Sequence, residues 1–580
     1  MNNIATLCKR KLSKERGIIK KDWGGKLSVA LLYPNYYRLG MSNLGFQAVY
    51  KILNDDPRIV SERAFLPETQ EMYLHKRFNY PLLSLESQKP LSEFDIIAFS
   101  LSFENDYLNC LTMLDLCRFP IESKDRGDDY PLIAAGGILT FMNPEPLSDV
   151  IDCFLIGEGD VILKEFFNVY LDLKLYSEKK ENCLKVLAKN VAGVYCPSLY
   201  KVEYNEEGFL ASFEPLVTSV PSKVKAVKKL PFGGPLLRSQ IITPFTEFSD
   251  TILVEIARGC GYSCRFCAAG YVYRPPRTIN EGEIKTSLQK ILAETPKLGI
   301  ISPSASDVPG IEEITSFIIE NGGEFSLSSL RADSLTEELI NNLKKSRQKT
   351  LTIAPETGSD RLRIVINKKM TTRDIIDAII LITRTGFFHI KLYFLVGLPT
   401  ENREDIQAIV SMAKSIRHHI IKECRGRKKI SRIRLSINCF IPKPFTPFQW
   451  FPMETVESLK EKQRLIKKSL SEIGGVGLSF DVPKWAYVQT LLSIGDRRVG
   501  KMLLTAYKNN GNWIQAFRSS SINPDFFVYR EKDLFEKLPW DFIDNNIKKS
   551  FLQDEYNLAL ASVESPSCNV GSCTRCGVCK

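Results

Sequence analysis

The chain has 580 residues with 44% hydrophobic and 25% charged content, which predicts roughly three to four folding units of an ordinary soluble globular protein. No apolar run approaches the ~18 residues that span a bilayer, and the basic segment 1–23 lacks the apolar core and cleavage site of a secretion signal, so we expect a cytoplasmic protein with no membrane partner. The net charge of +11 permits an anionic partner such as RNA, but no RNA-binding motif stands out, and a mixed solvated surface is favoured.

The first 215 residues alternate between strand and helix patterns. This alternation predicts a parallel sheet with helices on both faces, a Rossmann-like α/β domain. A helix is predicted over residues 41–53, and glycine turns follow two of the strands, at Gly136-Gly137 and at residues 157–160. In such sheets ligands bind at the carboxyl ends of the strands. The predicted strands cover residues 26–33, 94–103, 131–135 and 150–156.

The segment 216–250 contains four prolines and a basic run, which predicts a linker between domains. After it, strand, loop and helix patterns repeat as in a (β/α) barrel. A cysteine-rich loop directly follows the first of these strands, at the end of the barrel where active sites lie. The predicted barrel strands cover residues 253–257, 298–302, 324–328, 350–354, 389–396 and 433–439.

The chain beyond residue 450 is predicted to be mostly helical, over residues 454–473, 484–505 and 512–518. Within it, Asp496, Arg497 and Arg498 could bind an anionic substrate, although a surface ion-pair cluster is favoured. The predicted domains are therefore 1–215, a linker 216–250, a barrel 251–450, a helical extension 451–567 and a cysteine-rich tail 568–580.

Seven of the fifteen cysteines lie in two short clusters, at residues 260–267 and 568–579. Fifteen cysteines would be unusual as disulfides in a reducing compartment, so metal ligation by the clustered residues is the better explanation. The other eight are scattered along the chain and are most simply small buried side chains.

The first cluster has the spacing Cys260-x3-Cys264-x2-Cys267. Three thiolates are one ligand short of a closed zinc or iron–sulfur site, so one metal position stays open to an outside molecule. Thiolates suit iron–sulfur clusters, and an open position is where chemistry can occur. A structural metal knuckle or three buried thiols is the alternative interpretation.

This loop, including Phe266 before the third cysteine, resembles that of the radical S-adenosylmethionine (SAM) enzymes. The resemblance implies that Cys260, Cys264 and Cys267 hold a 4Fe-4S cluster. It also implies that the open iron chelates SAM and that reductive cleavage of SAM gives a 5′-deoxyadenosyl radical. The cofactor carries this chemistry, while the protein orients the substrate and excludes water.

Further segments resemble the SAM-binding turns of a partial six-stranded radical SAM barrel. Each has an alternative interpretation as a helix N-cap or an ordinary turn. The family's G-G-E turn after the second strand is replaced here by a serine-rich segment, which can still offer hydroxyls and carbonyls to an ammonium group. The predicted cofactor contacts are those that the resemblance implies and the candidates of the serine-rich segment. The first group is Phe266, Glu356, Ser359, Gly397 and Phe440, and the second is Ser304, Ser306 and Asp307.

The N-terminal half resembles the cobalamin-binding-type domain that precedes many radical SAM cores. The matching segments are 135–146 and 156–160. The D-x-H-x-x-G loop, whose histidine binds cobalt in that family, does not occur in the sequence. Either cobalamin binds here without a histidine ligand, or the domain has kept the fold and lost the cofactor.

The second cysteine cluster is the tail Cys568-x4-Cys573-x2-Cys576-x2-Cys579. Four thiols within twelve residues, interleaved with glycines, can wrap a metal centre. A second, auxiliary iron–sulfur cluster is favoured. The alternatives are zinc and a mobile redox tail that delivers electrons or exchanges disulfides.

Taken together, the chain resembles the cobalamin-binding-domain-containing radical SAM proteins over nearly its whole length. The leading hypothesis is a SAM radical enzyme that acts on an unactivated carbon, with methylation as one outcome and RNA or protein among the substrates considered. An electron donor such as a flavodoxin or ferredoxin is expected. The alternatives are methylthiotransferase-like sulfur insertion that uses the auxiliary cluster, and a non-catalytic redox or SAM-responsive regulator. No general acid or base can be named.

Overall fold

The computed structural model of the chain describes residues 4–230, 232–328, 330–424 and 431–579. Helices and parallel strands alternate along most of it, so the predicted mixed α/β fold class is confirmed. No helix within these ranges is long and apolar enough to cross a membrane. The predicted outer domain limits, residues 1 and 580, lie outside the described residues.

The N-terminal half is built on a six-stranded sheet in the order β2-β1-β3-β4-β5-β6, parallel except for the last pair. All seven residues of the first strand are buried, as expected for a parallel strand covered on both faces. The strands are β1 (Leu27–Tyr33), β2 (Ile59–Phe65), β3 (Ile96–Ser100), β4 (Leu132–Gly136), β5 (Cys153–Leu155) and β6 (Val194–Tyr195).

Helices accompany these strands. The helix α3 begins at an N-cap asparagine, Asn43, whose side chain accepts from the amide of Phe46. The helices are α1 (Ile4–Leu12), α2 (Tyr37–Met41), α3 (Leu44–Asp55), α4 (Thr69–Phe78), α5 (Tyr107–Leu116), α6 (Ile138–Met142), α7 (Gly159–Leu175) and α8 (Lys180–Asn190).

The segment predicted as a linker is tied to both halves of the molecule. It contains β9 (Val224–Lys225) and β10 (Leu237–Arg238), and it follows an antiparallel hairpin of β7 (Tyr200–Tyr204) and β8 (Leu210–Pro215). An isolated antiparallel bridge joins Arg16 to Ile242. These pairings satisfy backbone groups that a free linker would leave to water.

The barrel consists of two four-stranded sheets, β10-β11-β14-β15 and β16-β17-β18-β19, linked by a parallel bridge between Leu330 and Ile353. Among the described residues of these two sheets, only β10 runs antiparallel to its neighbour. A separate two-stranded antiparallel pair is formed by β12 and β13. The strands are β11 (Ile252–Glu255), β12 (Ala257–Arg258), β13 (Arg277–Thr278), β14 (Lys297–Ile301), β15 (Glu324–Leu327), β16 (Thr350–Glu356), β17 (His389–Val396), β18 (Ile433–Cys439) and β19 (Val476–Phe480).

Helices follow the barrel strands on the outside. They are α9 (Ala269–Val272), α10 (Glu281–Leu292), α11 (Ile311–Glu320), α12 (Glu337–Lys345), α13 (Asp360–Val365), α14 (Thr372–Thr385), α15 (Arg403–Glu423) and α16 (Val456–Leu470). The last barrel strand, β19, was not predicted, because the helical pattern before it was extended to residue 473.

The C-terminal extension packs on both halves. The predicted helix 484–505 is two helices in the structure, because the chain turns out of α17 at Gly495 and restarts after Arg498. The remaining elements are α17 (Pro483–Ile494), α18 (Val499–Lys508), α19 (Trp513–Arg518), α20 (Asp525–Val528), β20 (Ile543–Asp544) and α21 (Lys549–Leu560). One continuous cluster of buried apolar side chains joins this extension to the N-terminal sheet and the barrel.

Candidate active site

The cysteine loop of residues 259–276 leaves the barrel between two short strands that pair with each other, β12 and β13. Pairing of Arg258 with Arg277 therefore closes the base of the loop. At Gly259 the backbone has φ +77°, and a Cβ atom there would lie 2.6 Å from the carbonyl oxygen of Tyr273, so the turn requires glycine. The thiols of Cys260, Cys264 and Cys267 are all free.

The three thiols differ in burial and face two cations. Cys264 is buried, whereas Cys260 and Cys267 are half-buried. Burial raises the pKa of Cys264 to about 12, against the opposing effect of Lys368 and Arg331. Nearby cations favour thiolates, and soft thiolates are the donor set of iron–sulfur clusters. The loop therefore fits the cluster that its spacing predicts.

The cation Lys368 forms a buried ion pair at the end of β16. Its Nζ lies 2.9 Å from Oε1 of Glu356, a residue with φ +66°. Burial lowers the pKa of Lys368, but the carboxylate of Glu356 and the thiol of Cys264 outweigh burial, so its pKa is raised. Glu356 was predicted as a SAM contact. Sequence reasoning missed Lys368, which belongs to no motif.

Two predicted SAM contacts come together in an apolar cluster. Phe440 is buried in it, and Phe266 packs against it from the cysteine loop. Leu398, next to the predicted contact Gly397, belongs to the same cluster. Gly397 has φ +84°, and a Cβ atom there would lie 2.9 Å from Leu459 of α16, so this position also requires glycine.

The predicted contacts with hydroxyl groups already have protein partners. Ser359 accepts from the amide of Leu362 and so acts as the N-cap of α13. The alternative interpretation of this turn gave the N-cap role to Glu356, which instead ends β16. The hydroxyl of Ser304 bonds to Asp307, and the hydroxyl of Ser306 accepts from the amide of Arg331 at 3.1 Å. A role in SAM binding stays a prediction for these residues.

A cavity of about 610 Å³ lies beside the cysteine loop. One wall is the carboxyl edge of the N-terminal sheet, including Ala98 and Gly136, and one is the mouth of the barrel, including Gly259, Tyr273 and Ser302. This edge is where the strand order reverses, between β1 and β3, and ligands of doubly wound sheets bind at such a point.

The cavity has the size and lining of a ligand site. Its volume falls within the range of about 300–1,000 Å³ that is usual for bound small molecules. Apolar side chains of α3, such as Val49 and Ile52, form much of the wall. A Cβ atom at Gly136 would have only Leu155 within 4 Å, at 3.9 Å, so the backbone there has room for a side chain that points towards the cavity wall.

An ion cluster joins the two walls of this cavity. The carboxylate of Glu158, which is 4% exposed, lies 2.6 Å from Arg258 and 2.6 Å from Arg277. Burial raises the pKa of Glu158, but the two guanidinium groups outweigh burial and lower it overall. Because Glu158 comes from the N-terminal half and both arginines from the base of the cysteine loop, the cluster ties the sheet to the loop.

The side chains of Asp496, Arg497 and Arg498, which were considered as a binding site for an anionic substrate, form ion pairs within the protein. Arg497 lies 2.9 Å from Glu145 of the N-terminal half, and Arg498 lies 2.6 Å from Asp496. The guanidinium of Arg498 also stacks 3.7 Å above the ring of Tyr204. These contacts match the predicted ion-pair cluster. The cluster differs from a simple surface cluster because it joins the C-terminal extension to the N-terminal half.

The cysteine tail packs against the cysteine loop. The amide of Cys568 donates to the carbonyl of Gly261 at 3.0 Å. Burial raises the pKa of Cys568. The guanidinium of Arg274 opposes this rise, and the other three tail cysteines add to it. Cys576 is buried, and Cys568, Cys573 and Cys579 are half-buried.

In the part of the chain that the structure describes, no three His, Cys, Asp or Glu side chains converge tightly enough to hold a single metal ion.

Comparisons with known proteins identify the family. The family model described as Radical SAM superfamily matches residues 254–413, and the one described as Radical SAM proteins, N-terminal, matches residues 45–197. The protein "Uncharacterized protein MJ0966" of Methanocaldococcus jannaschii is 30% identical over 486 residues, which cover 82% of this chain and 90% of that protein. The chain belongs to the radical SAM superfamily and is a radical SAM enzyme.

Solved structures of cobalamin-dependent members of the superfamily are also similar. The radical SAM methyltransferase TsrM from Kitasatospora setae, with cobalamin and a 4Fe-4S cluster bound, aligns at 13% identity and a TM-score of 0.45, covering 75% of this chain and 78% of that one. The radical enzyme OxsB, with aqua-cobalamin and SAM bound, aligns at 14% identity and a TM-score of 0.44, covering 92% of this chain and 79% of that one.

Proposed function

We propose that this chain cleaves SAM reductively on a 4Fe-4S cluster held by Cys260, Cys264 and Cys267. The resulting radical would take a hydrogen atom from an unactivated carbon, which would then receive a methyl group supplied by a second SAM. When bound, such a cluster supplies one electron and an open iron to SAM, whose carbon–sulfur bond breaks to give methionine and a 5′-deoxyadenosyl radical. The observation that carries the proposal is the cavity, because it opens directly onto Gly259, next to the first cysteine.

The chain's own residues prepare the loop for this chemistry. Lys368 and Arg331 place positive charge beside Cys264, which opposes the rise in its pKa that burial causes. The apolar cluster that includes Phe266 and Phe440 keeps water from one flank of the loop. A dry, preorganised site protects a radical from quenching by solvent and strengthens local electrostatics.

We propose that the cavity takes cobalamin, as the resemblance of the N-terminal half implies. Its position at the carboxyl edge of the sheet and its apolar wall suit a bulky cofactor that also faces the barrel mouth. Among the described residues that line the cavity none is a histidine, so this chain would hold cobalamin without a histidine ligand to cobalt.

Product analysis tests the proposal. Protein with reconstituted iron and sulfide would be mixed anaerobically with SAM and dithionite, and the adenosyl products separated by mass. We expect 5′-deoxyadenosine from the wild type and from Cys8→Ala, a half-buried cysteine of α1, but none from Cys264→Ala. Formation of S-adenosylhomocysteine in addition to 5′-deoxyadenosine would support methyl transfer. Intact SAM with a fully loaded cluster would contradict the proposal and favour a regulator.

A further inference from the structure

We propose that the four tail cysteines hold a second iron–sulfur cluster that passes electrons from an external one-electron donor to the cluster of the 260–267 loop. This inference rests on the proposed function of that loop. In this role the tail cluster would carry the electrons that reduce the SAM-cleaving cluster.

The first observation is the direct contact between the two cysteine groups. The hydrogen bond from the amide of Cys568 to the carbonyl of Gly261 joins a tail ligand to the residue that follows Cys260. The side chain of Cys568 also lies 3.8 Å from the position that a Cβ atom would take at Gly261. Centres bound to these cysteines would be close neighbours, connected by a short path of covalent bonds and one hydrogen bond.

The second observation is the ligand set. Cys573, Cys576 and Cys579 follow the C-x2-C-x2-C spacing with which bacterial ferredoxins begin their cluster-binding run, and Cys568 adds a fourth thiol. None of the four thiols is tied up in a disulfide. Gly577 has φ +81° between two of them, so the chain reverses there as a wrapping loop requires.

The third observation is a buried network of hydrogen bonds that joins the start of the tail to the loop. Arg265, which lies between two cysteines of the loop, is fully buried and donates to Ser565 and to the carbonyl of Val563 at 2.9 and 2.8 Å. Asn367 accepts from the amide of Ser565 and donates to the loop carbonyls of Tyr262 and Ser263. A buried polar network of this kind makes the contact rigid, so it holds the tail at a fixed distance from the loop.

The fourth observation is the side of the loop that the tail occupies. None of the described tail residues lines the 610 Å³ cavity, which lies along Gly259 and Tyr273 of the loop. A cluster that inserts sulfur must reach the substrate, whereas a cluster that relays electrons needs to reach only the first cluster. The position therefore favours electron transfer over the methylthiotransferase-like alternative.

The outer face of the tail is open and basic. Gly571, Ser572 and Thr574 are exposed there, as are the cationic side chains of Arg575 and Lys548. Such a surface suits an acidic redox protein such as a reduced flavodoxin or ferredoxin. The donor loses one electron, the tail cluster gains it and passes it on, and the first cluster ends reduced by one electron. No bond forms or breaks.

The test follows reduction of the first cluster in full-length protein without SAM, with photoreduced flavodoxin or with dithionite as the reductant. The variant Cys573→Ser removes one tail ligand, and Cys8→Ser is the matched control because it too replaces a half-buried cysteine. We expect Cys573→Ser to lose about four irons per chain and the fast phase of reduction by flavodoxin. Its first cluster should retain its electron paramagnetic resonance signal after slow reduction by dithionite.

The variant Lys548→Glu keeps every tail ligand and reverses the charge at an exposed position whose alkyl chain lies beside Gly577. It should keep both clusters, require more flavodoxin for the same rate and leave the rate with dithionite unchanged. Unchanged iron in Cys573→Ser, zinc in place of iron in the wild type, or flavodoxin reduction at the wild-type rate in both variants would overturn the inference. Failure of the proposed function would give a different result, because the wild type would then form no 5′-deoxyadenosine from SAM even with dithionite as the reductant.

Discussion

Replacing Glu158 by glutamine should separate the N-terminal half from the cysteine loop. Glu158 is the shared partner of Arg258 and Arg277 and also accepts a hydrogen bond from the amide of Lys229. Glutamine keeps the shape of the side chain but loses the charge, and its amide nitrogen faces a guanidinium group. The change therefore tests the electrostatic link with little change in packing.

The magnitude follows from what each arginine retains. Arg258 keeps Glu255 at 2.6 Å and Asp160 at 3.2 Å, whereas Arg277, among the described residues, pairs with no other carboxylate. Leaving one buried charge unpaired costs about 3–5 kcal/mol. For a unit of 150–250 residues this corresponds to a fall of roughly 6–20 °C in the Tm of the transition that involves the interface.

The assay is a thermal unfolding scan at pH 7. Because the pKa of Glu158 is lowered in the folded state, its carboxylate stabilises the protein fully above its unfolded pKa, and this stability is lost only as the pH falls through the folded pKa. The control is Glu181→Gln, which breaks an exposed pair with Lys185 on α8 and should leave the Tm unchanged. A Tm for Glu158→Gln within about 2 °C of the wild type would refute the argument.

Two further predictions concern the cavity and a buried lysine. Gly136→Leu should fill the cavity, so cobalt should no longer copurify with the protein from cells supplied with cobalamin. The control is Gly127→Leu, at an exposed position where an added Cβ atom would have nothing within 4 Å, and it should bind cobalt normally. Equal cobalt in the two variants would contradict the cavity assignment. Burial lowers the pKa of Lys532 to about 7, so above that pH the unfolded chain holds one proton more than the folded chain. Stability should therefore rise by about 1.4 kcal/mol per pH unit between pH 7 and 9 in urea unfolding, and Lys532→Met should remove this slope; identical slopes would show that Lys532 is not buried as described.

The parts of the fold that depend on local patterns were predictable from the sequence. The strands β17 and β18 lie at the predicted residues 389–396 and 433–439, because alternating buried and exposed side chains mark them within a few residues. The cysteine loop follows its strand as predicted, since the spacing of its ligands is itself local. Cluster binding by Cys260, Cys264 and Cys267 stays a prediction that the product analysis tests.

The strand β2 was missed because its sequence, IVSERAF, carries charged residues at its centre. Arg63 is nonetheless fully buried, and its partners Glu15 and Glu86 stand 48 and 23 residues away in the chain. A buried charge is tolerated only where it is paired, and the pairing partners cannot be identified before the fold is known. A strand of this kind therefore gives no apolar signal in its own sequence.

The sequence by itself determined the family resemblance, the two cysteine groups and most of the strands and helices, because each of these depends on residues that are close together in the chain. Only the tertiary structure decided what these parts face. Cys568 meets Gly261 from the far end of the chain, and Glu158 pairs with Arg258 across 100 residues. Such contacts depend on how whole sheets and helices pack, and no spacing or periodicity in the sequence encodes them. The cavity between the sheet and the barrel exists for the same reason, since its walls come from distant segments that share one core.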